Sequence, residues 1–266
     1  MSEQPTEDNA GQTAAPQGVV WITGASSGLG YGLALRYAAD GYTVVASARR
    51  EDKLLALSAE SRSLGYKGKV LPVTLDVTDD ASVEKAIASM LTQVGAPDIV
   101  VLNAGFYEPC SLEEISLQHF LSTYEVNVHG VARCLFGILD QLKQKAGSQL
   151  VLVSSVAGYS GLPRAAAYGS SKAALIHLAE SLRHECEAYK IKITLVNPGF
   201  VKTPLTDKND FPMPFIMPVQ KATDAMYRGI QSGWFEVTFP RRFTWILKFL
   251  RILPYPVYFA LTRKFL

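Results

Sequence analysis

Short apolar runs alternate with longer mixed stretches along most of this chain. Four of the runs are almost continuously apolar, at residues 19–22, 43–47, 98–102 and 150–153. Runs of this length and composition are typical of parallel strands that are buried on both faces of a sheet. Because helical stretches separate them, the pattern predicts one α/β domain, a doubly wound parallel sheet with helices on both faces.

A glycine-rich turn follows the first predicted strand and precedes a helix-like run over residues 31–40. In a strand–turn–helix unit of the Rossmann type, Gly24 would permit the tight turn and Gly28 would let the backbone approach a pyrophosphate. Gly30 would allow close helix packing, with the N–H groups of the helix N-terminus facing the phosphates. The turn residues predicted to bind a dinucleotide are Gly24, Ser26, Ser27, Gly28, Leu29 and Gly30.

The end of the second predicted strand carries two arginines, Arg49 and Arg50, about 20 residues beyond the glycine turn. An NAD site usually has an Asp or Glu there for the ribose hydroxyls, whereas an arginine accommodates the 2′-phosphate of NADP. The sequence therefore favours NADP(H) over NAD(H). The alternative is that both arginines are solvated surface charges, with Glu51 and Asp52 as their partners.

Three side chains after the run at 150–153 suggest carbonyl chemistry by hydride transfer: Ser155, Tyr168 and Lys172. A helical i,i+4 pair shares one face, so we expect the Lys172 ammonium to lower the pKa of the Tyr168 phenol from about 10. Ser155 follows a strand at the edge where open α/β sheets bind ligands, so it would hold a substrate oxygen. The alternative is a structural Tyr–Lys contact and a serine that caps the following turn.

With these motifs, the chain resembles the single-domain short-chain dehydrogenase/reductase family from about residue 19 to about residue 206. The resemblance implies that Asp76 and Val77 lie against the adenine and that Tyr168 delivers a proton to the carbonyl oxygen. It also implies that Ser155 hydrogen-bonds this oxygen, Lys172 binds the nicotinamide ribose, and Asn127 holds a relay water. The other cofactor-binding residues that it implies are Asn103, Ala104, Gly105, Pro198, Gly199, Val201 and Thr203, together with Tyr168 and Lys172.

The expected protein is thus an NADP-dependent oxidoreductase that interconverts a carbonyl and an alcohol. A non-catalytic NADP(H)-sensing or scaffold protein is one alternative. A sugar-nucleotide epimerase is another, which the glycine spacing and the lack of a long C-terminal substrate region disfavour. By resemblance, the helix with Tyr168 and the one before it imply a homo-dimer or homo-tetramer.

The chain ends and the scattered Cys and His residues predict little further chemistry. Residues 1–18 are polar and lack an apolar run, so we expect a disordered lead-in to the domain at 19–239 rather than a signal peptide, and a cytoplasmic protein. The three cysteines and four histidines have no metal-ligand spacing, so no metal is expected. No nucleic-acid motif occurs.

A C-terminal extension, residues 240–266, holds six basic residues and no acidic one, although the whole chain has a net charge of only +2. On a helical wheel, one stripe holds Arg241, Thr244, Lys248 and Arg251, and the opposite face holds Phe243, Ile246, Leu247, Leu250 and Leu253. This predicts a basic amphipathic helix, too short to span a bilayer. Its apolar face could lie on a membrane surface, on its own subunit or on a partner subunit.

The segment 204–218 is expected to form a mobile lid over the substrate, by resemblance. It contains Phe211, Met213, Phe215, Ile216 and Met217. An apolar lid predicts a hydrophobic, lipid-like carbonyl or alcohol as substrate. The alternative is that these residues are ordinary core.

Overall fold

A computed structural model describes residues 17–263 of the chain. The predicted N-terminal lead-in at 1–18 therefore lies almost wholly outside the described residues, as does Lys264 of the basic C-terminal extension.

The described residues form a seven-stranded, all-parallel sheet with helices on both faces, which confirms the predicted fold class. The strands are β1 (Val19–Thr23), β2 (Thr43–Ala48), β3 (Lys69–Thr74), β4 (Ile99–Leu102), β5 (Gln149–Val153), β6 (Lys192–Pro198), β7 (Val201–Lys202), β8 (Met217–Pro218) and β9 (Glu236–Phe239). The helices are α1 (Gly28–Ala39), α2 (Glu51–Ser63), α3 (Asp80–Val94), α4 (Leu117–Tyr124), α5 (Gly130–Gln144), α6 (Ala166–Ala188), α7 (Val219–Gln231), α8 (Arg241–Arg251) and α9 (Tyr255–Thr262).

Strand order explains where a ligand can bind. The order across the sheet is β3-β2-β1-β4-β5-β6-β9, so the chain moves outward from β1 in one direction and then returns to β4 on the other side. This reversal leaves a crevice beyond the carboxyl ends of β1 and β4, where doubly wound sheets bind their ligands. The small strands β7 and β8 pair with each other outside this sheet.

Two apolar cores cover the two faces of the sheet, because alternate side chains of each strand point to opposite faces. Val20 and Ile22 of β1 point into one core, whereas Trp21 points into the other, where its ring N–H donates to the Ser47 hydroxyl over 3.0 Å. The first core includes Leu33, Leu54 and Met226 from α1, α2 and α7. The second includes Met90, Ile138, Leu175 and Leu247 from α3, α5, α6 and α8.

The C-terminal extension packs on the domain. The side chains that α8 buries differ in part from the apolar face that the helical wheel predicts. Phe243, Leu247 and Leu250 of α8 are buried in the second core, so this part of the predicted apolar face lies on its own subunit, whereas Ile246 of that face is exposed and Thr244 of the predicted basic stripe is buried. Lys248 of that stripe turns toward the domain and forms an ion pair with Glu236 of β9. No helix within residues 17–263 is long and apolar enough to cross a membrane.

Candidate active site

A cavity of about 530 Å³ lies in the crevice at the carboxyl ends of the central strands. Its walls contain all but two of the residues predicted from the sequence to bind cofactor or take part in catalysis. These lining residues are Gly24, Ser26, Ser27, Gly28, Leu29, Arg49, Arg50, Asp76, Val77, Asn103, Ala104, Gly105, Ser155, Tyr168, Lys172, Pro198, Gly199, Val201 and Thr203. Gly30 and Asn127 lie behind the wall.

The glycine turn between β1 and α1 has no room for a side chain at Gly24 or Gly30. Gly24 has a φ of +70°, and a Cβ there would stand 2.8 Å from the Cα of Ala104. A Cβ on Gly30 would stand 2.5 Å from the Gly24 carbonyl oxygen, so Gly30 shapes the turn from behind. The Ser27 side chain makes no capping hydrogen bond to α1, so the first N–H groups of that helix stay available to a ligand. This cradle fits the pyrophosphate of a dinucleotide.

Asn103 fastens the end of β4 to the glycine turn. Its side-chain amide donates to the carbonyls of Thr23 and Gly24, over 3.0 and 3.3 Å. The backbone N–H groups of Asn103 and Ala104 both donate to the Thr23 hydroxyl. The predicted cofactor residue Asn103 therefore also holds the two central strands in register at the switch point.

The two arginines after β2, Arg49 and Arg50, both line the cavity. The Arg50 guanidinium donates to the hydroxyls of Ser26 and Ser27, over 2.8 and 3.3 Å, which places it above the glycine turn. The Arg49 charge acts on Asp76 instead. Burial raises the pKa of the Asp76 carboxyl, but hydrogen bonds from Thr78 and the Arg49 charge outweigh it and hold that pKa below its usual value. Within residues 17–263, neither arginine forms an ion pair with Glu51 or Asp52.

The environment of Tyr168 corrects the expected direction of its pKa. Burial raises the pKa of the phenol to about 12, aided by nearby Tyr107, while the Ser155 hydroxyl acts in the opposite direction. The Tyr107 ring meets the Tyr168 ring edge to face, with 4.7 Å between centroids. The expectation that Lys172 lowers this pKa is wrong for the free protein, because the loss of water around the phenol dominates.

Lys172 shares the predicted helix face with Tyr168, but its ammonium turns to the backbone. The nitrogen lies 5.7 Å from the centroid of the Tyr168 ring and donates to the Val153 carbonyl over 3.0 Å. The side chain is 3 % exposed, and the described residues place no carboxylate within ion-pair distance of it. Burial therefore lowers the pKa of Lys172 from 10.5 to about 8.

The position of Ser155 is compatible with both of the roles predicted for it. Its hydroxyl oxygen accepts a hydrogen bond from the Ala157 N–H and so caps the short 3₁₀ helix Val156–Gly158. The same hydroxyl lines the cavity and donates over 3.4 Å to the Pro198 carbonyl, a long and weak bond. A substrate oxygen could therefore attract this hydroxyl at little cost.

Asn127 lies in a π-helical segment, Glu125–His129, between α4 and α5. Its amide is fully buried, accepts from the Phe106 N–H over 2.7 Å and donates to the Phe106 carbonyl and the Ser171 hydroxyl. A Cβ on Gly105 would stand 3.4 Å from both the Asn127 amide oxygen and the Lys172 nitrogen. Asn127 thus supports the strand end beside Lys172, and the sequence offered no signal for the π-helical turn that places it there.

The segment 204–218 joins β7 to β8, and its first residues, among them Pro204 and Leu205, line the cavity. Its large apolar side chains lie outside the buried core, although Met217 packs against the first core. Phe215 and Ile216 are exposed, whereas Phe211, Met213 and Met217 are half-buried. Sequence reasoning missed the two loops that hold this segment, one after β4 and one before α6. Tyr107 donates to Asn209 over 2.7 Å, and Arg164 pairs with Asp210 over 2.5 Å. We call these two contacts the clasp. They join residues far apart in the sequence, so local sequence patterns could not predict them.

Comparisons with known proteins agree with the geometry of the cavity. A family model described as short chain dehydrogenase matches residues 18–212. An uncharacterized oxidoreductase of Myxococcus xanthus is 40 % identical over 244 residues, which cover 91 % of this chain and 95 % of that protein. The 11-beta-hydroxysteroid dehydrogenase-like 2 of Arabidopsis thaliana is 33 % identical, over 89 % of this chain and 78 % of that protein.

Among solved structures, an alcohol dehydrogenase of the archaeon Thermococcus sibiricus, complexed with 5-hydroxy-NADP, is similar to this chain. Its sequence is 28 % identical, with a TM-score of 0.75 over 83 % of this chain and 95 % of that chain.

Proposed function

The chain belongs to the short-chain dehydrogenase/reductase family and is an NAD(P)-dependent oxidoreductase; from this premise, we propose that it uses NADP(H) to interconvert a carbonyl and an alcohol on an apolar, lipid-like substrate. The observation that carries the chemistry is the convergence of Ser155, Tyr168 and Lys172 in the same cavity as the glycine turn.

The protonation states of the free site suit carbonyl reduction. The bound nicotinamide supplies the hydride. Tyr168, with its pKa raised to about 12, holds its proton at neutral pH and can release it to the carbonyl oxygen as negative charge develops there. The Ser155 hydroxyl can donate to the same oxygen once it leaves the Pro198 carbonyl. The Lys172 ammonium lies 5.7 Å from the centre of the Tyr168 ring, where it would bind the nicotinamide ribose and hold the cofactor beside the phenol.

Arg50 is the main support for NADP(H) over NAD(H), since the fold itself accommodates either cofactor. Its guanidinium is exposed, lies beside the hydroxyls of Ser26 and Ser27, and has no acidic partner among the described residues. A 2′-phosphate placed there would receive charge-assisted hydrogen bonds from this group of donors. The solved relative from Thermococcus sibiricus is complexed with an NADP derivative.

Replacing Arg50 with Ala should raise the KM for NADPH by about 10- to 100-fold, because a hydrogen bond to a charged group contributes about 1.5–3 kcal/mol. The KM for NADH should change little, since NADH lacks the phosphate. Steady-state kinetics with both cofactors measure the ratio. Arg62→Ala is the matched control, as Arg62 is exposed on α2 and away from the cavity. Equal effects on both cofactors, or no effect on either, would contradict the assignment.

The lid segment supports an apolar substrate. Five large apolar side chains occur within residues 211–217, and none of them is buried in the domain core. Pro204 and Leu205 already line the cavity from this side. Such a segment can close over an apolar group that extends from the reacting carbonyl, which removes the apolar surface of both from water. The steroid-related name of the Arabidopsis relative agrees with a substrate of this kind.

With NADPH as cofactor, kcat/KM should rise along a series of aldehydes of increasing chain length. Each buried methylene contributes about 0.8 kcal/mol, so we expect about a fourfold gain per carbon until the lid is filled. A spectrophotometric panel from short aldehydes to long-chain 3-oxoacyl compounds and steroid ketones measures the trend. Equal activity on small polar sugars would show that the lid does not select for apolarity.

We also propose assembly into a homo-dimer or homo-tetramer through α5 and α6. The support is the outer side of α5, where Phe136 is 62 % exposed. Phe136 does not line the cavity, so association there would leave the cavity open.

A further inference from the structure

Helices α8 and α9 expose a second apolar surface that the fold does not use. We call it the outer face; its members are Trp245, Ile246, Phe249, Ile252, Tyr255, Val257, Phe259 and Leu261, all exposed. Trp245, Phe249 and Ile252 follow one another at helical spacing along α8, and the rings of Tyr255 and Phe259 stack on α9. Monomeric soluble proteins rarely leave such a large group of apolar side chains together in water.

The outer face is distinct from the face that packs on the domain. Phe243, Leu247 and Leu250 fill the second core, and a Cβ on Gly199 would stand 3.0 Å from the Phe243 ring. The ion pair between Lys248 and Glu236 secures the same inner side. Intramolecular packing therefore accounts for α8 being attached to the domain, but it leaves Trp245 with 70 % of its surface in water.

Positive charge surrounds the outer face. Arg241, Arg242, Arg251 and Arg263 are exposed on the same two helices, and the described residues after Glu236 include no acidic one. Trp and Tyr side chains are favoured where an apolar phase meets water, because one part of the ring system is apolar and the other can hydrogen-bond. An anionic bilayer offers partners for both parts of this surface. Its head groups attract the arginines, and the boundary of its acyl chains accepts the aromatic and aliphatic side chains.

We propose that the outer face of α8 and α9 binds the surface of an anionic lipid bilayer. Trp245, Phe249 and Phe259 enter the boundary between head groups and acyl chains, while the four arginines contact anionic head groups. Both helices are short, so they lie along the surface and the sheet domain stays in water.

Docking in this orientation brings the lid close to the lipid. The Phe215 ring of the lid lies 5.9 Å, between centroids, from the Phe243 ring on the inner side of α8. An α-helix with its side chains is about 10 Å thick, so the lid would lie within about that distance of the membrane surface. An apolar substrate could then pass from the bilayer to the cavity through little water. This consequence rests on the proposed apolar substrate, whereas the docking itself does not.

Sedimentation with liposomes tests the docking without cofactor or substrate, so it is independent of the proposed activity. The full chain should sediment with vesicles of 30 % phosphatidylglycerol in phosphatidylcholine at 0.1 M NaCl, and it should bind pure phosphatidylcholine vesicles more weakly. The double variant Trp245→Ser/Phe249→Ser should bind at least about tenfold more weakly, because it removes the central apolar anchors. Arg241→Gln/Arg242→Gln should lose most of the preference for anionic vesicles.

Leu55→Ser is the matched control, because Leu55 is 55 % exposed on α2, which packs on the opposite face of the sheet from α8 and lies outside the proposed subunit interface. It should bind vesicles as the unchanged chain does. Circular dichroism and thermal unfolding establish that each variant is folded. Absence of sedimentation with either vesicle would overturn the proposal, as would unchanged binding by the double variant. Conversion of a dimer to a monomer by the double variant, without any lipid binding, would assign the outer face to a second copy of the chain instead.

Discussion

Tyr168→Phe should lower turnover with NADPH by about 10²- to 10⁴-fold, the usual contribution of a positioned general acid. The substitution removes only the phenolic oxygen from a ring that is already packed edge to face against Tyr107. The remaining phenyl ring fits the same space, so the fold and the glycine cradle should be unchanged. Without the phenol, the Ser155 hydroxyl would still hydrogen-bond the carbonyl oxygen, but no acid would transfer a proton to it as the hydride arrives.

Tyr107→Phe separates the loss of the proton donor from a general disturbance of the two rings. The Tyr107 hydroxyl donates to Asn209 of the lid segment, so its removal should loosen the clasp and change KM more than kcat. NADPH fluorescence measures cofactor binding, which should be the same in the unchanged chain and in Tyr168→Phe. If Tyr168→Phe keeps more than about a tenth of the turnover, another group delivers the proton. If the unchanged chain binds NADPH tightly but turns over no carbonyl, the sensing alternative gains support.

The sheet and its ligand edge could be predicted because both depend on local patterns. A parallel strand buried on both faces needs a continuous apolar run, and the runs before Gly24, Asn103 and Ser155 are of this kind. Each polar or glycine residue that follows such a run must then lie at one edge of the sheet. For this reason the cavity walls contain nearly the whole predicted set, although no single motif specifies the cavity.

The features that the sequence did not predict depend on burial or on contacts between distant residues. The i,i+4 spacing placed Lys172 near Tyr168, but it could not show that both groups lose their water, which moves both pKa values toward the neutral form. A helical wheel divides α8 into one polar and one apolar face. In the fold, Glu236 draws Lys248 inward, so the exposed side is the one with Trp245 and Phe249.

Lys172→Met should stabilise the free protein while lowering turnover by more than about 100-fold. The Lys172 ammonium is buried, its hydrogen bond goes to the Val153 carbonyl, and its pKa of about 8 reflects the cost of keeping the charge there. A decrease from 10.5 to about 8 corresponds to about 3 kcal/mol at neutral pH. Met has a similar length and no charge, although it leaves the Val153 carbonyl without this donor. We therefore expect a net gain of about 2 kcal/mol, or about 4–8 °C in Tm.

The pH dependence of this gain identifies its cause. Between about pH 8 and pH 10.5, the folded protein has already lost the Lys172 proton, whereas the unfolded chain keeps it. Since the unfolded state then binds more protons, the free energy of unfolding rises with pH through this window. The cost of burying Lys172 falls by the same amount. The advantage of Lys172→Met should thus be largest below pH 8 and should shrink toward pH 10.

Thermal unfolding of the two free proteins from pH 7 to pH 10 measures this difference, and Lys190→Met is the matched control, since Lys190 is exposed beyond the end of α6. A difference that stays constant with pH would mean that improved packing, rather than the removal of a buried charge, stabilises the variant. If Lys172→Met is less stable than the unchanged chain at pH 7, the Val153 hydrogen bond outweighs the cost of burial. The expected opposite effects on stability and turnover would show that the domain retains an unfavourable buried ammonium because the chemistry at Tyr168 requires it.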